Sequence, residues 1–281
     1  MNLISKSTTK NLLKKYNLRP NKRLGQNFLI SQEVLEQVIQ TANLSKRDVV
    51  LEIGPGLGTI TQELAKRAKK VVAIEKDKKM VEILKETLKD YRNVEIIQGD
   101  ILKFGCLTPK FGREATNYKV IANLPHYITS PVIRMFLELK NPPQEITLLI
   151  QKEVAQRICA RPPKMSLLAV AIQVYSQPKI ISAVSKKSFW PQPKVDSAII
   201  KIAPHPPVIA SKAKQSRTKF FQVVKAGFSS PRKQLVNNLS KGLNQEKEKI
   251  KDLLKKASLD SKIRAEELSI GNWQKLTQLM K

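Results

Sequence analysis

Sulfur, histidine and acid are all scarce in this chain. Its two cysteines, Cys106 and Cys159, stand far apart and in no metal-ligand pattern. Two histidines in 281 residues leave no ligand set for a zinc site. No apolar run approaches the roughly 18 residues of a membrane span, and none near the start reads as a secretory signal. The expectation is a reduced, cytoplasmic, metal-free protein. Acid is short as well: 23 Asp and Glu face 51 Lys and Arg, a formal net charge of +28. Such a balance says nothing about fold, but it points to a polyanionic partner, either nucleic acid or an anionic membrane. A generally basic surface is the plain alternative.

What is present is organised in blocks. The chain is 41% hydrophobic and long enough for one large domain with a small one, or for two. Residues 1–18 read as a basic N-terminal arm, since residues 1–25 hold seven Lys or Arg and no acid. An arm of this kind follows a phosphate backbone; an organelle transit peptide has a similar composition. After Gly25-Gln26-Asn27-Phe28-Leu29, Ser31 is placed to cap a helix with Val34, Leu35, Val38, Ile39 and Ala42 on one face. An apolar strand at 49–53 then runs into Gly54-Pro55-Gly56-Leu57-Gly58, a helix with Ile60, Leu64, Ala65 and Ala68 on one face, and a strand at 70–74 that ends in Glu75. Further units follow: a helix at 78–89, a strand at 94–97 leading to Asp100, a strand at 118–122, a helix starting at Ser130 and Pro131, and a strand at 145–150. Strands alternating with helices imply a parallel sheet covered on both faces. Two more strands are expected at 180–184 and 195–202. These units make up a first domain, 19–203. Residues 204–217 are rich in Pro, Ser and Lys and read as a linker, and 218–281 as a small helical domain with a basic face.

The chemistry sits at strand ends, where open α/β sheets bind ligands. Glycines such as Gly54 and Gly56 let a ligand approach the backbone closely, and Glu75 is placed to accept from both hydroxyls of a ribose. A dinucleotide site uses Gly-x-Gly-x-x-Gly to cradle pyrophosphate. Here the spacing is Gly-x-Gly-x-Gly after Glu52, which fits S-adenosylmethionine better, a ligand with no phosphate. Asp100 is either a reader of an adenine amino group or a helix cap. Asn123-Leu124-Pro125-His126-Tyr127 follows a strand. It is either an ordinary turn or the mouth of a cleft, where an amide bonds an exocyclic amine and a ring stacks on a base. Phe189, within Ser188-Phe189-Trp190-Pro191-Gln192-Pro193-Lys194, is either exposed or packed in the core.

Taken in order, five segments resemble one family: Gly25-Gln26-Asn27-Phe28-Leu29; Glu52-Ile53-Gly54-Pro55-Gly56-Leu57-Gly58; Asn123-Leu124-Pro125; Phe189-x-Pro-x-Pro-Lys194-Val195-Asp196-Ser197; and Arg232-Lys233-x-Leu235-x-Asn237-Asn238-Leu239. The chain from about residue 19 onward is similar to the KsgA/RsmA rRNA adenine N6-dimethyltransferases, relatives of the Erm resistance methyltransferases. The resemblance implies a Rossmann-like S-adenosylmethionine-dependent methyltransferase sheet with a small C-terminal all-helical domain that binds RNA. It implies a monomer, with small-subunit ribosomal RNA in the assembling subunit as partner and no membrane. The implied reaction is dimethylation of two adjacent adenines in the 3′-terminal hairpin of that RNA. Carried over by motif, Asn27, Leu29, Gly54, Glu75, Asp100 and Asn123 contact the cofactor or line its pocket. The Asn123 side chain and the Leu124 or Pro125 carbonyl receive the adenine amine, and His126 and Phe189 clamp the base. Two departures stand out: His126 replaces the family's usual Tyr or Phe, and the 161–166 segment lacks its usual Tyr-Gly. The rival readings are an Erm-type enzyme acting on large-subunit RNA, an RNA-binding assembly factor with weak catalysis, and a nicotinamide dehydrogenase.

Overall fold

A computed structural model describes residues 1–21, 24–103, 117–205 and 214–280, with side chains from 218 onward in the last segment. It divides into two compact units. The first comprises Met1–Ala155 and Pro178–Pro204, and the second Gln156–Gln177 and His205–Lys281.

The first unit is built on apolar strands. After α1 (Lys6–Lys15) come β1 (Phe28–Leu29), α2 (Gln32–Ala42), β2 (Val49–Ile53), α3 (Thr59–Arg67), β3 (Lys70–Glu75), α4 (Lys78–Thr87), β4 (Val94–Gln98), β5 (Tyr118–Asn123), α5 (His126–Leu137) and β6 (Glu145–Gln151). α6 (Lys152–Ile158) and α7 (Leu167–Gln173) precede β7 (Ser176–Val184), β8 (Phe189–Trp190) and β9 (Ser197–Pro204). Seven strands form one sheet in the order β4-β3-β2-β5-β6-β9-β7. β4, β3, β2, β5 and β6 are parallel, and β9 runs antiparallel to β6. Every residue of β2 is buried, as expected of a strand covered on both faces. The chain winds outward from β2 to β3 and β4, then returns to place β5 on the other side of β2. That reversal opens a crevice beyond the carboxyl ends of β2 and β5, the usual ligand position in such sheets. β1 and β8 form a separate two-stranded ribbon, pairing Phe28 with Trp190 and Leu29 with Phe189.

Local chemistry explains the element ends. Ser31 Oγ accepts from Val34 N to start α2, and Asn43, in the left-handed region at φ 42°, ends it. Asp77 caps α4 by accepting from Lys79 N. α5 starts at His126, earlier than the Ser130-Pro131 pair suggested. Pro131 lies inside the helix, where it forfeits one backbone hydrogen bond. This shift puts His126 and Tyr127 in the first turn of a helix rather than in a loop.

Residues 1–18, read from composition as an arm, contain a capped helix. Ser5 accepts from Thr8 N, and Thr9, Leu12 and Leu13 are buried. Leu3, Leu12 and Leu13 share a core cluster with Phe28, Leu57, Met80 and Ile83. The lysines dominate the composition and hide this apolar face.

The second unit is helical: α7, then α8 (Lys214–Gly227), α9 (Leu235–Leu243), α10 (Lys247–Lys256) and α11 (Ile270–Leu279). Its core gathers Met165, Ala169 and Val170 with Leu235, Leu239, Leu254 and the fully buried Trp273. Residues 156–177, expected in the first domain, therefore belong here, because α7 supplies apolar residues to this second core. Buried Asn238 donates Nδ2 to the Gly227 and Ser230 carbonyls at 2.7 and 3.0 Å, which accounts for that part of the Arg232–Leu239 motif. The expected linker, 204–217, falls mostly outside the described residues. Among those described, no helix is long and apolar enough to cross a membrane.

Candidate active site

The crevice at the switch point is a cavity whose walls come from the ends of β2, β3, β4 and β5 and from residues 24–29. Gly54, Gly56 and Gly58 hold φ values of 67°, 59° and 91°. At Gly54 an added Cβ would meet nothing within 4 Å, so the left-handed backbone alone demands glycine there. The resulting turn points Gly56 N at Glu75 Oε2 (3.2 Å), while Asp77 N reaches Glu75 Oε1 (2.8 Å). Each Glu75 oxygen keeps further acceptor capacity toward the cavity. Burial raises the Glu75 carboxyl above its ordinary range, and the backbone N–H groups of Asp77 and Gly56 oppose that rise.

Glu52 also lines the cavity. It is 1% exposed, and its Oε2 has no hydrogen-bond partner among the described residues. The Thr61 hydroxyl lies beside it but outside hydrogen-bonding geometry. Burial, with a smaller contribution from nearby Glu75, pushes the Glu52 carboxyl up to about 8. Asp100 lies at the rim. Its Oδ1 accepts from Leu102 N (3.1 Å) and its Oδ2 meets Lys76 Nζ (2.9 Å), so it caps the short turn at 101–103 and also lines the cavity. The Lys76 ammonium, helped by Leu102 N–H, holds the Asp100 carboxyl below its usual range.

At the other wall, Asn123 ends β5 and donates Nδ2 to the Asn27 carbonyl (3.3 Å). A carbonyl only accepts, so this bond fixes which end of the amide is which and leaves Oδ1 unclaimed among the described residues. Asn27 Nδ2 donates in turn to the Gly25 carbonyl (3.0 Å). The Pro125 carbonyl accepts from Ile128 N and from Thr129 Oγ1 at 3.2 and 3.1 Å, so both its lone pairs serve the start of α5. The Leu124 carbonyl has no such partner among the described residues. Of the two carbonyls weighed as a second acceptor, Leu124 is therefore the one left available.

Asn27, Leu29, Gly54, Gly56, Glu75, Asp100, Asn123, Leu124 and Pro125 all line this one cavity. The two residues expected to clamp a base do not. Phe189 is 4% exposed and packs in the core with Leu29, Val34, Val38 and Leu149, which leaves no ring face for a ligand. His126 is exposed at the first position of α5 but does not border the cavity; the neighbouring Tyr127, half exposed, does. Sequence reasoning also passed over Gln26 and Lys76. Gln26 accepts from Asn21 N at Oε1 (2.8 Å) and donates Nε2 to Asp77 Oδ2 (3.1 Å), tying the 24–27 segment to the cap of α4. Its place beside Asn27 was the available signal.

The cavity gathers three carboxyls and one ammonium in a chain of net charge +28. With Asp100 paired to Lys76 and Glu52 held neutral up to about 8, Glu75 is the carboxyl left to face a cationic nucleoside cofactor, which S-adenosylmethionine is. The ribosomal RNA adenine dimethylase profile matches residues 17–281. The chain belongs to this family. As a ribosomal RNA adenine dimethylase it is an S-adenosylmethionine-dependent methyltransferase. It is 44% identical over 283 residues to ribosomal RNA small subunit methyltransferase A of Alkaliphilus metalliredigens, covering 98% of this chain and 97% of that one. It is 43% identical over 269 residues to the protein of the same name from Dehalococcoides mccartyi strain CBDB1, covering 95% and 90%. Among solved structures, a dimethyladenosine transferase from Plasmodium falciparum superposes with TM-score 0.74 at 26% identity over 89% of this dimethylase and 95% of that chain. The 23S rRNA methyltransferase ErmE superposes at 0.72 and 24% identity over 90% and 99%, a likeness of fold.

Proposed function

We propose that this dimethylase transfers two methyl groups to N6 of each of two adjacent adenines in the 3′-terminal hairpin of small-subunit ribosomal RNA. It acts as a cytoplasmic monomer on the assembling subunit. The observation that carries the chemistry is the pair of unclaimed acceptors at the end of β5, Asn123 Oδ1 and the Leu124 carbonyl. The near full-length identity to the small-subunit enzymes favours that RNA over the large-subunit one, since the likeness to ErmE extends to fold alone.

The cavity lining supports one placement of the cofactor. Glu75 takes the ribose hydroxyls, Asp100 the adenine amine, Gly54 and Gly56 form the floor under the nucleoside, and Asn27, Leu29 and Asn123 close the opposite wall. When bound, S-adenosylmethionine supplies an electrophilic methyl on a cationic sulfur that leaves as a neutral thioether. The target adenine amine is a poor nucleophile because its lone pair is delocalised into the ring. Asn123 Oδ1 and the Leu124 carbonyl accept from its two hydrogens, favour a pyramidal nitrogen and direct the lone pair into the cavity. Nitrogen gains the methyl, and the proton it sheds passes to solvent. No strong general base is required, so positioning and electrostatics carry the step. A monomethylated amine keeps one N–H, for which one of the two acceptors suffices. Tyr127, rather than His126 or Phe189, offers a ring for stacking at the cavity edge, an interaction worth roughly 1–3 kcal/mol per base.

The test is methyl transfer from labelled cofactor to small subunits lacking the hairpin modification, with large-subunit RNA in parallel. Dimethyladenosine confined to the small-subunit hairpin is expected, and Asn123→Ala should lower turnover at least a hundredfold with cofactor still bound. Label in the large subunit, or near-normal turnover by Asn123→Ala, overturns the reading.

A further inference from the structure

α1 lies outside residues 17–281, the part matched by the family profile. It carries Lys6, Lys10 and Lys14, spaced four apart. Each step advances about 6 Å along the helix and turns about 40° around it, so the three ammonium groups form a file along one flank. All three lysines are exposed, and none is paired with a carboxylate among the described residues. No acid occurs in the first 25 residues to compensate them. Lys15 is different: it is engaged with Glu86 at 2.7 Å, and the Tyr16 hydroxyl bonds the same carboxylate.

The file is held on a firm mount. Leu12 and Leu13 pack in one cluster with Phe28 and Leu57, and both of those residues also line the cofactor cavity. Lys10 Nζ stands 5.7 Å from the centre of the half-buried Trp190 ring, at the β1–β8 ribbon. Three uncompensated cations in a row repel one another, and a polyanion relieves that repulsion. Their spacing is close to that of successive phosphates along an extended RNA strand. An anionic membrane fits less well, because the apolar residues of α1 are buried in the protein and leave no face to enter a bilayer.

We propose that the Lys6–Lys10–Lys14 file is a docking rail for the phosphate backbone of the RNA substrate, set against the wall of the catalytic cavity. This rests on the RNA reading given above and adds to it the surface that receives the strand flanking the target. The rail fixes where the RNA lies without reading its sequence, as phosphate contacts do.

The experiment compares the full-length wild type with the triple variant Lys6→Gln, Lys10→Gln, Lys14→Gln. Affinity for unmethylated small-subunit RNA is measured across a salt series, and cofactor affinity by calorimetry. The plot of log affinity against log salt should flatten by about 2–3, roughly 0.7–0.9 for each phosphate that the protein no longer neutralises. Cofactor affinity should not change. A triple Lys→Arg variant should keep the wild-type slope. Should the triple Gln variant lose cofactor binding through misfolding, Lys14→Gln alone should still flatten the slope by about 0.7–0.9. An unchanged slope in a variant that binds cofactor normally overturns the rail. Because binding is read separately from turnover, a wild type that binds RNA but transfers no methyl would sink the enzymatic reading and leave the rail to be judged on the slope.

Discussion

Asn123 keeps its place by giving up one end of its amide. The Nδ2 bond to the Asn27 carbonyl costs the site a donor and leaves an acceptor, which is what an incoming amine needs. Glu52 shows the opposite arrangement, a group held in an environment that suits it only when neutral. In the unfolded chain its carboxyl titrates near 4.3; in the folded protein burial pushes it up to about 8. Between these values the folded state holds a proton that the unfolded state has lost. Stability from this group is therefore greatest below the unfolded value and falls as pH rises toward 8, by about 1.4 kcal/mol per pH unit if the group titrates alone. Glu52→Gln removes the titration. Melting temperatures of the wild type and of Glu52→Gln, taken from pH 5.5 to 8, should diverge, the wild type losing stability with pH and the variant losing much less. Parallel curves would show that Glu52 is ionised in the folded protein.

Gly25 joins two elements that sequence treats as separate motifs. Its φ is +65°, and an added Cβ would stand 2.6 Å from Pro125 Cβ. The 24–27 segment therefore lies directly against the residue that caps α5, with Asn27 bonded to Asn123 beside it. Gly25→Ala meets a clash and a left-handed backbone penalty of about 1–2 kcal/mol. Relief requires the segment to lift, which breaks the Asn27–Asn123 bond and frees the Asn123 amide, the proposed acceptor for the target amine, to rotate. Turnover should drop at least tenfold, with a melting temperature a few degrees lower. Normal turnover would mean that the segment relaxes without disturbing Asn123. The Gly25–Leu29 motif stood out in the sequence only through the family resemblance, and the reason for its glycine was not legible, because Pro125 is its neighbour only in three dimensions. The same limit explains α1 and α7. Their apolar residues are few, and each pairs with a core built from distant stretches, so composition and local period described α1 as an arm and assigned α7 to the wrong unit.

For the whole molecule, legibility follows the range of the forces involved. The β2–glycine turn–α3–β3–Glu75 unit could be read directly, since its hydrophobic period and its turn are local. So could the role of strand ends, which is a property of topology. The aromatic positions could not. Phe189 lies in the core because β8 pairs with β1, and Tyr127 rather than His126 borders the cavity because α5 starts one turn early; both are tertiary outcomes. Charge was legible only as a sum. The chain carries +28, yet the cavity walls present an Asp100 paired with Lys76, a Glu52 held neutral up to about 8, and Glu75. On the reading proposed above, the RNA is drawn by a surface excess of lysine, whereas the cofactor enters a pocket where Glu75 is the carboxyl neither paired, as Asp100 is with Lys76, nor held neutral, as Glu52 is. Surface attraction over long distances is screened by salt, whereas buried pairs are screened far less. Raising salt from 50 to 200 mM should therefore weaken RNA binding about a thousandfold or more, the range for a protein contacting about six to ten phosphates. Cofactor affinity over the same interval should change by less than about threefold, because its contacts are enclosed. Measuring both dissociation constants on one preparation decides the matter. Equal losses would mean that the cofactor too is held mainly by screened surface charge, and the buried carboxyls would lose their assigned part in its capture.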